Sequence, residues 1–257
     1  MNEINFKKII NLAKKNKNFF IDTSLGYKNS ENILSQFDLN KFKVITKFDN
    51  IKKNIINELI TSKKKMKIKK FYGVLFHNEK ELMKKSTKEF LNFVELLKEN
   101  NITKRVGASV YSLKNLNLII KKFDLDLIQI PGNVFDKRFL NKELLDLLKE
   151  KRIKIFLRSV FLKGVLINKR NRIKKLENYN HNFEAFDNWL IKEKISNNKF
   201  FCINFILSKK INNLVIGFDD FNEYKEVSNF KKKNYVAPPN FVKNQSDKNR
   251  LLRPDFW

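Results

Sequence analysis

Phe19-Phe20-Ile21-Asp22-Thr23-Ser24-Leu25-Gly26-Tyr27-Lys28-Asn29-Ser30-Glu31 decides how the rest of the chain is read. Three apolar residues, Phe19 to Ile21, run into Asp22, which predicts a short buried strand ending in a carboxylate. A polar loop with a single glycine, Gly26, then carries Tyr27. Asn29-Ser30-Glu31 opens a helical segment, with Ser30 as the expected N-cap. In a parallel α/β protein the residues just past the C-terminal end of a strand face the active site. Asp22 and Tyr27 therefore stand where chemistry is usually placed.

Two later strands end the same way. Lys43-Val44-Ile45-Thr46-Lys47 is a β-branched run closing on a lysine, and Phe71-Tyr72-Gly73-Val74-Leu75-Phe76-His77 is an apolar run closing on a histidine. Beyond them, helix and strand patterns alternate along the chain. Helices are expected near residues 4–16, 29–37, 50–61, 79–99, 113–122, 140–149, 183–194, 199–207 and 220–231. Strands are expected near 20, 45, 74, 106, 128, 155 and 215. The alternation argues for a parallel sheet with helices outside it. Seven strands are one short of the eight that close a (β/α) barrel. The chain begins on a helix, so the strand not found is the first.

The ordered set Asp22-Thr23 with Tyr27, then Thr46-Lys47, then His77, resembles the catalytic tetrad of the aldo/keto reductase family. The segments VGASVY (Val106 to Tyr111), QIPGNVFDKR (Gln129 to Arg138) and RSVFLKG (Arg158 to Gly164) are similar to later segments of that family, in the same order. The resemblance covers nearly the whole chain. It implies an α/β fold of the (β/α)8 TIM-barrel type, N-terminally truncated with seven recognisable strands. A single domain is expected over residues 1–257, with a C-terminal tail from about 234. The family's first strand, with a Gly-Thr pair near its end, is the main departure.

The resemblance also implies roles. Tyr27 would donate the proton, Lys47 would favour its phenolate, Asp22 would hold Lys47 by an ion pair, and His77 would orient the substrate oxygen. Taken singly, each residue has a plainer reading: Asp22 as a turn cap, Tyr27 as a packed loop aromatic, Lys47 as one lysine among many, His77 as a satisfied imidazole. No side chain donates hydride, so carbonyl reduction requires a nicotinamide. By resemblance Ser109, Gln129, Arg158, Ser159, Gly217 and Asp219 would contact it. Arg158 stands where many family members place an aromatic that stacks on the nicotinamide. A guanidinium plane can stack too, or Arg158 faces a substrate anion. Ser109 reads equally as a turn residue, Gln129 as a buried amide, and Asp219 and Asp220 as helix caps. The family default is NADP(H) in preference to NAD(H), although basic residues suited to a 2′-phosphate are not evident beside Asp219.

Composition bounds the alternatives. The chain has 257 residues, 32% of them charged and 42% apolar, a globular balance. No run approaches the roughly 18 apolar residues of a spanning helix, and no signal-peptide pattern is seen. A cytoplasmic protein without membrane contact is expected. The single Cys202 excludes an internal disulfide and reads as a small buried apolar residue. His and Cys are too few for a structural metal site. The net charge is +27. It is spread along the chain and densest at Ser62 to Lys70, so nucleic acid is not the expected partner. The expected activity is NAD(P)H-dependent reduction of an aldehyde or ketone on a small, sugar-derived substrate. A non-catalytic or truncated homologue and a basic nucleic-acid-binding protein remain as alternatives. The sequence does not settle the oligomeric state.

Overall fold

A computed structural model describes residues 3–27, 29–52, 54–169, 172, 174–231, 236–254 and 257. From the first helix to β6 its strands are each separated by helix, α4 and α5 standing together between β3 and β4. In chain order they are α1 (Glu3–Lys15), β1 (Phe20–Asp22), α2 (Ser30–Leu34), β2 (Lys43–Phe48), α3 (Ile55–Lys65), β3 (Gly73–Phe76), α4 (Glu79–Met83), α5 (Thr87–Glu99), β4 (Val106–Ser109) and α6 (Leu113–Lys122). There follow β5 (Leu127–Pro131), α7 (Lys142–Glu150), β6 (Lys154–Arg158), α8 (Asn180–Lys192), α9 (Asn198–Ser208) and α10 (Phe221–Ser228). The six strands lie in the order β1-β2-β3-β4-β5-β6, and the pairs from β1 to β5 are parallel. The chain forms two compact units. One is Met1–Val110, Lys114–Gln129 and Gly217–Asn229; the other is Tyr111–Leu113, Ile130–Ile216 and Phe230–Trp257.

In the first unit β2 to β4 are buried on both faces over almost their whole length, which is why they read as continuous apolar runs, while β1 is only half-buried. Val74, Leu75, Phe76, Ala108, Leu127 and Ile128 are fully inaccessible. Each large apolar side chain buried this way contributes about 1.5–3 kcal/mol. The register pairs Asp22 with Ile45, Lys47 with Leu75 and Ser109 with Gln129. The C-terminal ends of successive strands are thereby brought to one edge of the sheet. Phe93 of α5 meets Phe48 and Phe76 at 5.2 and 5.9 Å between ring centroids, which seats that helix on the strands. Gly107 is required by close approach: a Cβ there would lie 2.1 Å from the Leu127 carbonyl oxygen.

In the second unit the amide N–H of Gly132 donates to the Arg158 carbonyl (3.1 Å), where the end of β5 meets β6. Phe135, Phe183, Phe186, Phe201 and Phe241 form an aromatic core. The buried Arg138 guanidinium ties the tail to this core. It donates to Asp136, to Asp247 (2.8 Å) and to the carbonyls of Tyr111 and Leu252. Lys163 Nζ donates to the Pro254 carbonyl (2.6 Å). Of the expected tail, Asn234, Tyr235, Asp255 and Phe256 lie outside the described residues.

Several expectations are corrected. The seventh strand is a single parallel bridge between Leu214 and Leu157. The Leu157 amide donates to the Asn213 carbonyl (2.8 Å) and the Val215 amide to the Leu157 carbonyl (2.8 Å), and among the described residues no further bridge extends the pair. The expected helix over 79–99 is two helices. Ser86 Oγ accepts from the Glu89 amide (3.1 Å) while the Glu89 carboxylate accepts from the Ser86 amide (2.8 Å), so a new helix starts there. Ser30 is not the cap of α2. Asn29 precedes the helix in a left-handed conformation, and Ser30 Oγ donates to the Tyr27 carbonyl (3.0 Å). The basic run from Ser62 begins inside α3, where Ser62 Oγ donates to Glu31 (2.6 Å) and Lys63 Nζ to the Asn101 carbonyl (2.9 Å).

Candidate active site

The loop after β1 is fastened to the end of β2 by its own polar groups. The Leu25 amide (2.9 Å) and Ser24 Oγ (3.1 Å) both donate to the Lys47 carbonyl. Ser24 Oγ in turn accepts from the Gly26 amide (3.2 Å), and the Tyr27 amide donates to the Ser24 carbonyl (3.0 Å). With Ser30 on its carbonyl, Tyr27 is carried round over Lys47. The Lys47 ammonium lies 5.4 Å from the Tyr27 ring centroid. The Tyr27 ring is 45% exposed, an open position that a solvent-borne substrate can reach.

Lys47 comes from β2 with a side chain only 2% exposed, and its Nζ stands 2.5 Å from Asp22 Oδ2. Removing one partner of such a buried pair leaves the other charge uncompensated. The second Asp22 oxygen accepts from Gln129 Nε2 at 2.9 Å. The carboxylate is thus fixed from two strands. His77, just past β3, continues the ladder through its amide to the Phe48 carbonyl (2.8 Å). Its ring stands edge-on to Tyr27 at 6.0 Å, and its Nδ1 lies 3.5 Å from Asp49 Oδ1. Asp22, Tyr27, Lys47 and His77 therefore meet in one unit, from three successive strand ends.

The residues expected around a nicotinamide divide. Ser109 and Gln129 are register neighbours in the first unit and both are buried. Ser109 Oγ is inaccessible and has no hydrogen-bond partner among the described residues. A buried hydroxyl without a partner is uncommon and fits a site completed by a ligand. Gly217 and Asp219 stand exposed before α10. Glu223 there accepts from the Asp219 amide (2.9 Å), and Asp220 caps the helix by accepting from the Glu223 amide (2.9 Å). Carboxylates occupy this turn, as the helix-cap reading of Asp220 anticipates. Arg158 and Ser159 belong to the second unit. The Arg158 guanidinium lies 3.9 Å from the Tyr111 ring centroid. Ser159 holds a strained left-handed backbone, φ 62°.

Sequence reasoning missed Asp49, which is two residues past Lys47 and lies beside His77. It also missed Ser24 of the loop. Ser24 is legible only once the loop is known to lie against β2.

The family model described as Aldo/keto reductase family matches residues 1–229. Among solved structures, the chain is similar to the aldo-keto reductase AKR11C1 from Bacillus halodurans in its holo form. The identity is 14%, covering 96% of this chain and 91% of that one, with a TM-score of 0.75. It is similar to the glycerol dehydrogenase AKR11B4 from Gluconobacter oxydans at 18% identity, over 87% and 79% of the chains, with a TM-score of 0.67. An aldo-keto reductase from Klebsiella pneumoniae in complex with NADPH matches at 10% identity, over 86% and 78%, with a TM-score of 0.64. No curated protein sequence matches.

Proposed function

The chain belongs to the aldo/keto reductase family, and from that premise we propose that it is an oxidoreductase reducing an aldehyde or ketone on a small substrate with a nicotinamide cofactor. The observation that carries the reading is the linked set Asp22–Lys47–Tyr27–His77, with Lys47 at 2.5 Å from Asp22 and 5.4 Å from the Tyr27 ring centroid.

When bound, the nicotinamide supplies the hydride that no side chain can. This chain's own residues supply the rest. Tyr27 delivers a proton to the carbonyl oxygen as charge develops on it. An ammonium beside a phenol stabilises the phenolate left behind, and Lys47 is placed to do so. Asp22, gripped by Gln129, holds the Lys47 ammonium in place. His77, held by Asp49, donates to the same carbonyl oxygen and orients it. Ser109 Oγ and the Gln129 amide would hold the nicotinamide carboxamide.

NADPH is the cofactor in the complex of the Klebsiella pneumoniae aldo-keto reductase, and it is the one we assign first. The carboxylates of Asp219, Asp220 and Glu223 oppose a 2′-phosphate at the start of α10, so NADH is the necessary comparison. The test is a titration with each nucleotide followed by a screen of small aldehydes. Saturable binding and oxidation of either nucleotide support the reading. A folded chain that binds neither contradicts it.

A further inference from the structure

The second unit holds a cavity of about 1050 Å³ between α8 and tail residues 239–250. None of its lining residues belongs to the catalytic set. Its lining has three components. Trp189, Tyr179 and Phe241 present aromatic faces, with Trp189 and Tyr179 half-buried. Asn178, Asn188 and Asn240 present exposed amides. Lys192, Lys243, Lys248 and Arg250 present four cations, all exposed, and among the described residues no carboxylate lines the cavity.

The charge is unbalanced. Among the described residues no carboxylate lies within ion-pair distance of those four cations, whereas Arg138, Arg172 and Lys169 of the same unit are all paired. A second cavity, of about 660 Å³, carries a like excess, with Lys142, Lys149, Arg152, Lys209 and Lys210 against Asp146, but among the described residues no aromatic side chain lines it. Four like charges gathered on one concave wall repel one another, and an anion relieves that repulsion.

The wall is also fixed in place. Asn182 Nδ2 donates to the Phe241 carbonyl at 2.7 Å, pinning the tail to α8. Asn249 Nδ2 donates to the Asn244 carbonyl (2.8 Å) and Asn249 Oδ1 accepts from the Leu251 amide (3.0 Å), closing the loop that carries Lys248. Trp189 is backed by Phe201 and Phe241 at 5.1 and 5.7 Å. Preorganised walls lose little freedom on binding.

We propose that this groove binds a nucleotide, its phosphates on the lysines and its base on Trp189 or Tyr179. Cations alone would take any anion. Aromatic faces stack on the π-face of a base, and neutral amides meet the donors and acceptors of a base edge. The size suits such a ligand, since pockets for small molecules run from about 300 to 1,000 Å³. None of the groove's lining residues is among those proposed to hold the nicotinamide, and the proposal does not rest on the carbonyl-reductase reading.

The test is calorimetric titration of the full chain with uridine diphosphate, with and without saturating NADPH. Uridine and inorganic pyrophosphate are the comparison probes. Saturable binding unaffected by NADPH is expected, weaker by about tenfold or more in Lys243→Ala/Lys248→Ala. Trp189→Phe should also weaken it, and Trp189 fluorescence should be quenched in a Trp257→Phe background. Pyrophosphate binding as tightly as uridine diphosphate would reduce the groove to an anion sink and overturn the proposal. Displacement by NADPH, or binding indifferent to the lysine and tryptophan substitutions, would overturn it as well.

Discussion

Asp22→Asn removes one charge from the centre of the site while keeping its shape. Lys47 Nζ and Asp22 Oδ2 are 2.5 Å apart, with side chains 2% and 19% exposed. At an effective dielectric of about 20 that separation corresponds to about 7 kcal/mol of gross attraction. Most of this offsets the cost of taking the ammonium out of water. Removing one partner of a buried pair costs about 3–5 kcal/mol, because the other charge stays behind. The substituted amide can still accept from Gln129, and Asp22 is partly exposed, so the lower end applies, about 3 kcal/mol. A domain of this kind is stable by about 5–15 kcal/mol, and each kcal/mol moves Tm by about 2–4 °C. Asp22→Asn should therefore lower Tm by about 6 °C or more. Adding Lys47→Met removes the stranded ammonium, and the double variant should be more stable than Asp22→Asn alone. The assay is urea unfolding followed by circular dichroism, with the slope checked for constancy. A loss below about 1 kcal/mol, or no relief from Lys47→Met, would show that Lys47 does not depend on Asp22 and would refute the reasoning.

Three further outcomes are expected. Gly107→Ala should cost about 3 kcal/mol or more in urea unfolding, because its Cβ would meet backbone, the Leu127 carbonyl oxygen at 2.1 Å, which no rotamer change relieves. Cys202 should stay unlabelled by iodoacetamide in the native state and react only in denaturant, since burial pushes its thiol up to about 12 and the thiolate is the reactive form. Asp247→Asn should destabilise at neutral pH, with the gap to the parent chain closing in acid. Burial raises the Asp247 carboxyl, but Ser112, the Leu113 amide and Arg138 outweigh it and hold it below the usual carboxylate range. A depressed carboxyl contributes stability above about pH 4, which is lost as pH falls through its folded value. Thermal melts across that range read the difference.

The catalytic candidates were legible because strand ends are written in local sequence. A run of apolar residues closing on Asp22, Lys47 or His77 needs no knowledge of distant contacts. The alternation of elements was legible for the same reason. What escaped depended on partners far along the chain or on competing caps. Glu79 to Glu99 carries one apolar periodicity, yet Ser86 and Glu89 reset the helix within it. Leu214 to Ile216 has strand composition, but the ladder extends only to Leu157. Gln129 read as a cofactor contact or a buried amide, and its hydrogen bond to Asp22, 107 residues away, is one that no local pattern announces. The basic groove is built by α8 and the tail together, so neither stretch alone announces it.

The most direct measurement is the rate of nicotinamide oxidation, NADPH and NADH in turn, with a panel of small aldehydes and ketones, for the parent chain and Tyr27→Phe. The parent chain should turn over, and Tyr27→Phe should lose about 10²–10⁴ in kcat with cofactor affinity nearly unchanged. A Tyr27→Phe chain that keeps most of its kcat would contradict the role of Tyr27. A parent chain that binds neither nucleotide would contradict the central claim.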